Sequence, residues 1–157
     1  MPYLTGPQQV ISSATDLNST SPGHPVLSRA QDEDGNVYIL LGGVASTVIG
    51  SPVTFDENGS TTLLAANAVG PLAVAMAAVT SASNYGWYQV YGKGYALAGG
   101  DIAADKSLFI SGTTGYVDDL DVAQDFIVGL MSRAAAASGA TCLVWMNYPY
   151  AGDVAHD

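Results

Sequence analysis

The sequence is organised around Asn84–Gly100, NYGWYQVYGKGYALAGG, which holds four of the nine tyrosines and one of the two tryptophans. In Trp87–Tyr91 we expect the odd-numbered residues on one face of a strand and the even-numbered residues on the other. Aromatic and β-branched residues that alternate in this way are typical of a half-buried β-strand. The glycines of Gly92–Gly94 predict either a bulge or a close approach to the backbone, before Tyr95–Ala98 resumes the strand.

On both sides of this stretch the sequence predicts short strands joined by glycine-rich turns. Two of these turns join neighbouring strands into hairpins, because Asp-Gly and Asn-Gly dipeptides supply the positive φ angles that tight turns require. The strands and turns are Val26–Ala30, Asp34-Gly35 and Val37–Leu41 in the first hairpin, and Val53–Phe55, Asn58-Gly59 and Thr61–Leu64 in the second. Ser107–Ser111 predicts another short strand.

Two runs, 72–79 and 126–137, leave strand and helix both open, because alanine favours a helix while the alternation of side chains favours a strand. The β character of their neighbours favours strand in both. We expect Phe126–Ala136 to pair with Thr141–Tyr148 and the polar tail Pro149–Asp157 to be frayed. The predicted fold class is all-β, a small barrel or sandwich.

The domain organisation predicted is an extended N-terminal arm, residues 1–25, followed by a β domain, residues 26–157, with its core in 66–150. The arm is rich in proline and polar residues and has few apolar anchors, so the sequence predicts either a mobile terminus or an arm that orders against a partner. Residues 26–65 are alternatively an arm-like hairpin elaboration that adds a strand to a neighbouring chain.

Composition limits the possible partners. Hydrophobic residues make up 48% and charged residues 11% of the chain, against roughly 25% charged residues in ordinary globular proteins. A surface so poor in charge is expected to be buried partly against other subunits. The net charge of −10 argues against direct nucleic-acid binding.

Neither a signal peptide nor a membrane span is predicted, so synthesis is expected in a cytoplasm.

Candidate chemical groups are few, and we expect a protein that is not an enzyme and has no cofactor or metal. Both histidines, His24 and His156, lie in segments where little order is predicted, so a catalytic triad cannot be assembled convincingly. The acidic run 32–34 lacks the spacing of a calcium loop and reads as a solvated turn. A second acidic cluster reads as a loop with helix-capping aspartates: Asp118, Asp119, Asp121 and Asp125. The lone Cys142 reads as a buried apolar residue.

The aromatic side chains of the central strand have two interpretations. Trp87, Tyr88, Tyr91 and Tyr95 could stack on sugars, but aromatic residues at strand spacing more often form a core or a subunit interface. We favour core or interface.

The order of segments resembles a protein family. A Trp-aromatic-Gln-Val-x-Gly strand, Trp87–Gly92, precedes a small-residue stretch to Asp101. The segments that follow are a strand closed by Thr-Gly-aromatic-Val, an Ile-Val-Gly start with a small-residue tail, and an apolar strand: Leu108–Val117, Ile127–Ala137 and Cys142–Met146. Residues 60–150 are in this way similar to the head decoration, or cement, proteins of tailed bacteriophages.

This resemblance implies a β-tulip-like domain that assembles as a homotrimer on the outer capsid surface of the virion. It implies that the protein stabilises the shell by clamping adjacent subunits of the major capsid protein. Its partners would then be the major capsid protein and other copies of this chain. The arm would make capsid contacts through Pro2, Tyr3, Leu4, Val10, Ile11 and Leu17. The core or trimer interface would use Trp87, Tyr88, Tyr91, Tyr95 and Trp145. The alternative function is a carbohydrate-binding or tail-fibre (receptor-binding) module that uses the aromatic strand.

Overall fold

The computed structural model describes residues 24–121 and 125–153. These ranges contain ten β-strands and no helix, so the predicted all-β class is confirmed. The strands are β1 (Arg29–Gln31), β2 (Val37–Gly42), β3 (Pro52–Phe55), β4 (Thr61–Leu63), β5 (Gly70–Ala75), β6 (Tyr85–Leu97), β7 (Ser107–Ile110), β8 (Val117–Asp118), β9 (Asp125–Ser132) and β10 (Thr141–Asp153). Within the described ranges no helix is long and apolar enough to cross a membrane.

The ten strands belong to one hydrogen-bonded system in which neighbouring strands are antiparallel. The main path runs β1-β2-β6-β5-β10-β9-β7-β8, and β3 pairs with both β4 and β5. β6 also pairs with β10. The path does not close into a ring, so the architecture is sandwich-like and not a closed barrel.

β6 and β10, each of thirteen residues, form the middle of the fold. They pair from Thr141 opposite Leu97 to Asn147 opposite Tyr91. β6 is continuous at Gly92–Gly94, so the bulge predicted there is wrong. The alternative, a close approach to the backbone, is confirmed, because a Cβ added at Gly92 would overlap Asn36 and one added at Gly94 would overlap Gln89 and Met146. An irregularity lies two residues before Gly92, in the pairing with β2, where the partners change from Gln89 to Tyr91 and skip Val90.

The end of β10 also differs from expectation. Instead of fraying, residues 149–153 continue the strand and pair with both β5 and β9. The pairing with β9 shifts register between Met146 and Tyr150, and Tyr148 has a positive φ of 46°. This bulge changes which alternate residues face the core, so the sequence loses its regular period at the point where the strand continues. Residues 154–157 of the predicted tail lie outside the described ranges.

The two ambiguous runs contain strands. β5 covers the first part of 72–79, and β9 covers the first part of 126–137. β9 pairs with β10 as expected, but it ends at Ser132 and residues 133–140 form the connection. In the second run, the alanines that favoured a helix, Ala134 to Ala137, therefore belong to this connection.

Residues 26–65 are integrated into the domain. β2 pairs with β6, and β3 pairs with β5. Ile39, Leu41 and Val53 are buried in one cluster with Tyr88 and Val90. The strands of this segment therefore belong to the same sheet as β5 and β6. The addition of a strand from residues 26–65 to a neighbouring chain stays a prediction. The predicted boundary of the arm stays a prediction, because residues 1–23 lie outside the described ranges.

The largest apolar cluster lies beneath β5, β6, β7, β9 and β10 and includes Leu72, Leu108, Ile127, Val144 and Met146. Cys142 is buried in this cluster, as predicted, and burial raises the pKa of its thiol. A third, small cluster on the β2–β6 pair contains Trp87, Tyr38, Leu40 and Ala30.

Candidate functional site: an aromatic groove and an apolar row

The predicted interface residues are divided between the core and the surface. Trp87 and Tyr88 are buried on opposite faces of β6, as the alternation predicts. Tyr91 is half-buried, and Tyr95 and Trp145 are 55% and 42% exposed. The proposed arm contacts, Pro2 to Leu17, lie outside the described residues. The surface part of the set is therefore Tyr91, Tyr95 and Trp145.

These three aromatic residues lie on the outer face of β6 and β10. Trp145 is opposite Lys93 in the register, and Tyr95 is opposite Leu143. The Tyr91 ring contacts Trp145 edge to face, with centroids 5.7 Å apart and an interplanar angle of 69°. The other neighbour of Tyr91 is Tyr148, at 5.4 Å between centroids. Tyr91 therefore fixes the orientation of two exposed rings.

One wall of this surface is the turn between β1 and β2. Asp34, Gly35 and Asn36 enclose, with the aromatic residues, an open groove of about 550 Å³. We call it the aromatic groove and define it by its lining residues, Asp34, Gly35, Asn36, Tyr91, Gly92, Lys93, Tyr95 and Trp145. Its volume lies within the range of about 300–1,000 Å³ that is usual for small-molecule sites.

The turn is attached to β6 through one side chain. Asn36 Oδ1 accepts a hydrogen bond of 3.0 Å from the Lys93 backbone N–H, and Asn36 Nδ2 donates to Asp32 Oδ2 at 2.9 Å. Gly92 makes this approach possible, since a Cβ there would overlap Asn36 Oδ1 and lie 2.9 Å from its Cγ. The φ of +99° at Gly92 also favours glycine.

Asp32 holds the turn together from within. Its carboxylate accepts hydrogen bonds from the backbone N–H groups of Asp34 and Asn36 and from the Tyr38 hydroxyl. Partial burial acts to raise the pKa of Asp32, but these bonds and the one from the Asn36 amide outweigh it and hold this pKa below its ordinary value. Burial and the Asp32 carboxylate raise the pKa of Tyr38. The carboxylate and phenol therefore form a fixed pair at neutral pH.

The second hairpin has a turn of the same design. Asp56 Oδ1 accepts from the N–H groups of Asn58 and Ser60, as Asp32 Oδ1 does from Asp34 and Asn36. In each turn the glycine, Gly35 or Gly59, has the positive φ. The prediction of two related hairpins is confirmed, with the acidic residues of 32–34 serving the turn.

Two charged side chains of the aromatic groove have no hydrogen-bond or ion-pair partner in the described part of the chain. The Asp34 carboxylate and the Lys93 ammonium both line the groove, and neither makes a hydrogen bond or ion pair with the described residues. By contrast, Arg133 pairs with Asp105 at 2.9 Å, and Arg29 lies over the Tyr148 ring at 5.7 Å. Asp34 and Lys93 are therefore available to a ligand as an acceptor and a donor.

A second surface lies beyond the bulge of β10. Tyr150 is opposite Pro71 of β5 on one side and opposite Val128 of β9 on the other. All three are exposed, Tyr150 by 47% and Val128 by 61%. We call Pro71, Tyr150 and Val128 the apolar row. Sequence reasoning missed it, because the bulge that turns Tyr150 outward leaves no periodic signal.

The acidic cluster does not cap a helix, and that prediction is wrong for the described residues. Asp125 is buried and accepts the Asn67 backbone N–H with both oxygens, at 3.2 and 3.0 Å. Asp118 and Asp119 accept backbone N–H groups of their own loop and of Ala103. Aspartates favour any free backbone donor, and here loops supply the donors.

Other candidate groups do not come together in the described ranges. His24 is exposed at the start of the described chain, whereas His156 lies outside it. No group of three or more His, Cys, Asp or Glu side chains within residues 24–121 and 125–153 is arranged to hold a metal ion.

Comparison with known proteins gives a structural neighbour. No protein-family model and no curated protein sequence matches the chain. The fold is similar to that in a crystal structure of the head fiber gp8.5 N base in bacteriophage phi29, with a TM-score of 0.50 and 15% sequence identity. The match covers 73% of this chain and 97% of that chain. This chain therefore has a fold similar to that of the gp8.5 N base over most of its length.

Proposed function

We propose that the protein is a structural component of a bacteriophage head. The observation that carries this proposal is the likeness to the phi29 head fiber N base, which extends over 97% of that chain. The resemblance of residues 60–150 to head decoration proteins supports the same assignment from the sequence. Fold alone does not define function, so the assignment also depends on the surface.

In the finer form of this proposal, the protein binds the outer surface of the capsid as a homotrimer. It then stabilises the shell by clamping adjacent subunits of the major capsid protein, and the N-terminal arm reaches across that surface. Three weakly binding copies in one trimer would bind strongly together, because attachment of one raises the effective concentration of the others. The protein is proposed to act in the virion, after synthesis in the host cytoplasm, and not as an enzyme.

The apolar row supports a protein partner. Pro71, Tyr150 and Val128 present apolar side chains side by side on three neighbouring strands. Burial of such a row against another protein is favourable, since it removes apolar area from water without leaving a charged group unpaired. We assign the capsid contact of the β domain to this row. The charge of −10 supports a protein surface as the partner over nucleic acid.

Co-sedimentation with expanded, undecorated heads of the source phage tests the proposal. The expected result is saturable binding with a copy number that matches the threefold positions of the lattice. Sedimentation equilibrium of the free protein should give the mass of three chains of 16.0 kDa. Failure to bind intact shells would refute the capsid function, whereas binding by single chains would refute only the trimer.

A matched pair of variants tests the assigned surface. Val128→Ser combined with Tyr150→Ser removes apolar groups from the row, and we expect at least a tenfold loss of shell affinity. Leu120→Ser removes an exposed apolar side chain outside the row and should bind shells normally. Equal losses in both variants would show that the row has no special part in docking.

A further inference from the structure

We propose that the aromatic groove binds a neutral oligosaccharide. This activity is separate from capsid binding and uses a different surface from the apolar row. In the complex, pyranose rings stack on Trp145 and Tyr95, and sugar hydroxyls hydrogen-bond to the Asp34 carboxylate and the Lys93 ammonium.

The aromatic side chains are arranged for stacking. Trp145 and Tyr95 expose 42% and 55% of their surface to the groove side of the sheet. The Tyr91 and Trp145 rings contact each other edge to face, with their centroids 5.7 Å apart, and 42% of Trp145 stays exposed beside this contact. The C–H faces of pyranose rings are apolar and pack well on aromatic faces of this kind.

The polar side chains of the groove supply hydrogen-bond partners for the hydroxyl groups of a sugar. A hydroxyl both donates and accepts hydrogen bonds, so a sugar site requires partners of both kinds. Asp34 only accepts and Lys93 only donates, and neither is paired with a described residue. Lys93 lies opposite Trp145 in the register, which places the cation beside the stacking surface. The two charges cancel, and this favours a neutral ligand.

Other ligand classes fit less well. Nucleic acid would stack on the same rings, but the chain carries a net charge of −10, and this repels the phosphate backbone. A proline-rich peptide also binds in aromatic-lined grooves. It presents few groups that could pair with Asp34 and Lys93, so the charged lining favours a polyhydroxylated ligand.

The groove is formed before any ligand arrives. The Asp34–Asn36 wall is fixed by Asp32 within the turn and by the bond of 3.0 Å from Lys93 N–H to Asn36 Oδ1. A wall that is already ordered does not need to lose conformational freedom on binding.

Calorimetric titration of the full chain with chitohexaose, maltohexaose and cellohexaose tests the proposal, with a proline-rich decapeptide as the competing class. We expect saturable binding of at least one saccharide and none of the peptide. Binding should alter tryptophan emission in the native chain but not in Trp145→Phe, because the remaining Trp87 is buried. Absence of binding by all three saccharides, or binding of the peptide instead, would overturn the proposal.

Variants then locate the site. Trp145→Ala should abolish saccharide binding, and Asp34→Ala and Lys93→Ala should each weaken it about five- to tenfold, the effect of losing one or two hydrogen bonds. Tyr150→Ala is the matched control, since it removes an exposed aromatic residue of the same strand outside the groove and should leave the affinity unchanged. Equal loss in Tyr150→Ala and Trp145→Ala would refute the assigned site. Urea unfolding of each variant shows that the fold is retained, and normal shell binding by Trp145→Ala separates this site from the capsid function.

Discussion

The attachment of the β1–β2 turn to β6 predicts that Gly92→Ala is strongly destabilising. The new methyl group would occupy the position of Asn36 Oδ1. Asn36 would have to move and would lose its bonds with the Lys93 N–H and with Asp32. The φ of +99° adds backbone strain.

The loss of unfolding free energy has two contributions, the backbone strain of the alanine and the loss of two hydrogen bonds of Asn36. An alanine in the left-handed region costs roughly 1–2 kcal/mol. Each lost hydrogen bond costs about 1 kcal/mol. We therefore expect Gly92→Ala to lower the free energy of unfolding by about 3–4 kcal/mol.

Gly139→Ala is the matched control. Its φ is +80°, but no atom lies within 4 Å of the position of the added Cβ. It should therefore show only the strain of roughly 1–2 kcal/mol. The difference between the two variants measures the displacement of Asn36.

Urea unfolding followed by tryptophan fluorescence gives the free energies. A second comparison introduces Gly92→Ala into an Asn36→Ala chain, where no side chain obstructs the methyl group and only the strain should remain. The reasoning is refuted if Gly92→Ala costs no more than Gly139→Ala, or if its cost is the same with and without Asn36.

Three further predictions concern buried polar groups, with unfolding free energy as the measurement in each. The indole N–H of Trp87 is buried without a hydrogen-bond partner among residues 24–121 and 125–153, so Trp87→Phe should cost much less than Trp87→Ala, for which we expect about 3–5 kcal/mol; equal costs would contradict this. Asp125→Ala leaves the Asn67 N–H without its acceptor and should cost about 1–3 kcal/mol, whereas exposed Asp121→Ala should change stability by less than about 0.5 kcal/mol. Burial raises the pKa of Tyr88 to about 12 from the ordinary value of 10.0. The folded state then retains a proton that the unfolded state loses, so the contribution of Tyr88 to stability should be complete below pH 10 and be lost between pH 10 and about 12. Tyr88→Phe should reduce this fall, and an unchanged slope in the variant would contradict the assignment.

Local patterns in the sequence predicted much of the fold. The alternation in Trp87–Tyr91 predicted a strand and the faces of its side chains, since period-two patterning is a local property of a pleated strand. The Asp-Gly and Asn-Gly turns were recognised for the same reason, because Asp32 and Asp56 organise them through bonds to residues two and four positions away.

Features that depend on distant partners were not predictable in this way. The bulge at Tyr148 is set by pairing with β9, so nothing in Pro149–Asp153 alone indicated a strand. The aromatic groove brings Asp34 next to Trp145, more than a hundred positions away in the sequence. Its aromatic half was singled out from the sequence, while its polar half required the fold.

The position of β10 has a consequence for folding. β10 leaves the ribosome after β5, β6 and β9, the three strands with which it pairs. Until then β5, β6 and β9 present unpaired edges that could join the wrong chain. The pairing of Tyr150 with Pro71 also closes a long loop, and non-local contacts of this kind slow folding. The nascent chain therefore cannot complete its sheet until β10 has emerged, and its yield of folded protein should depend on how long β5, β6 and β9 are kept from aggregating.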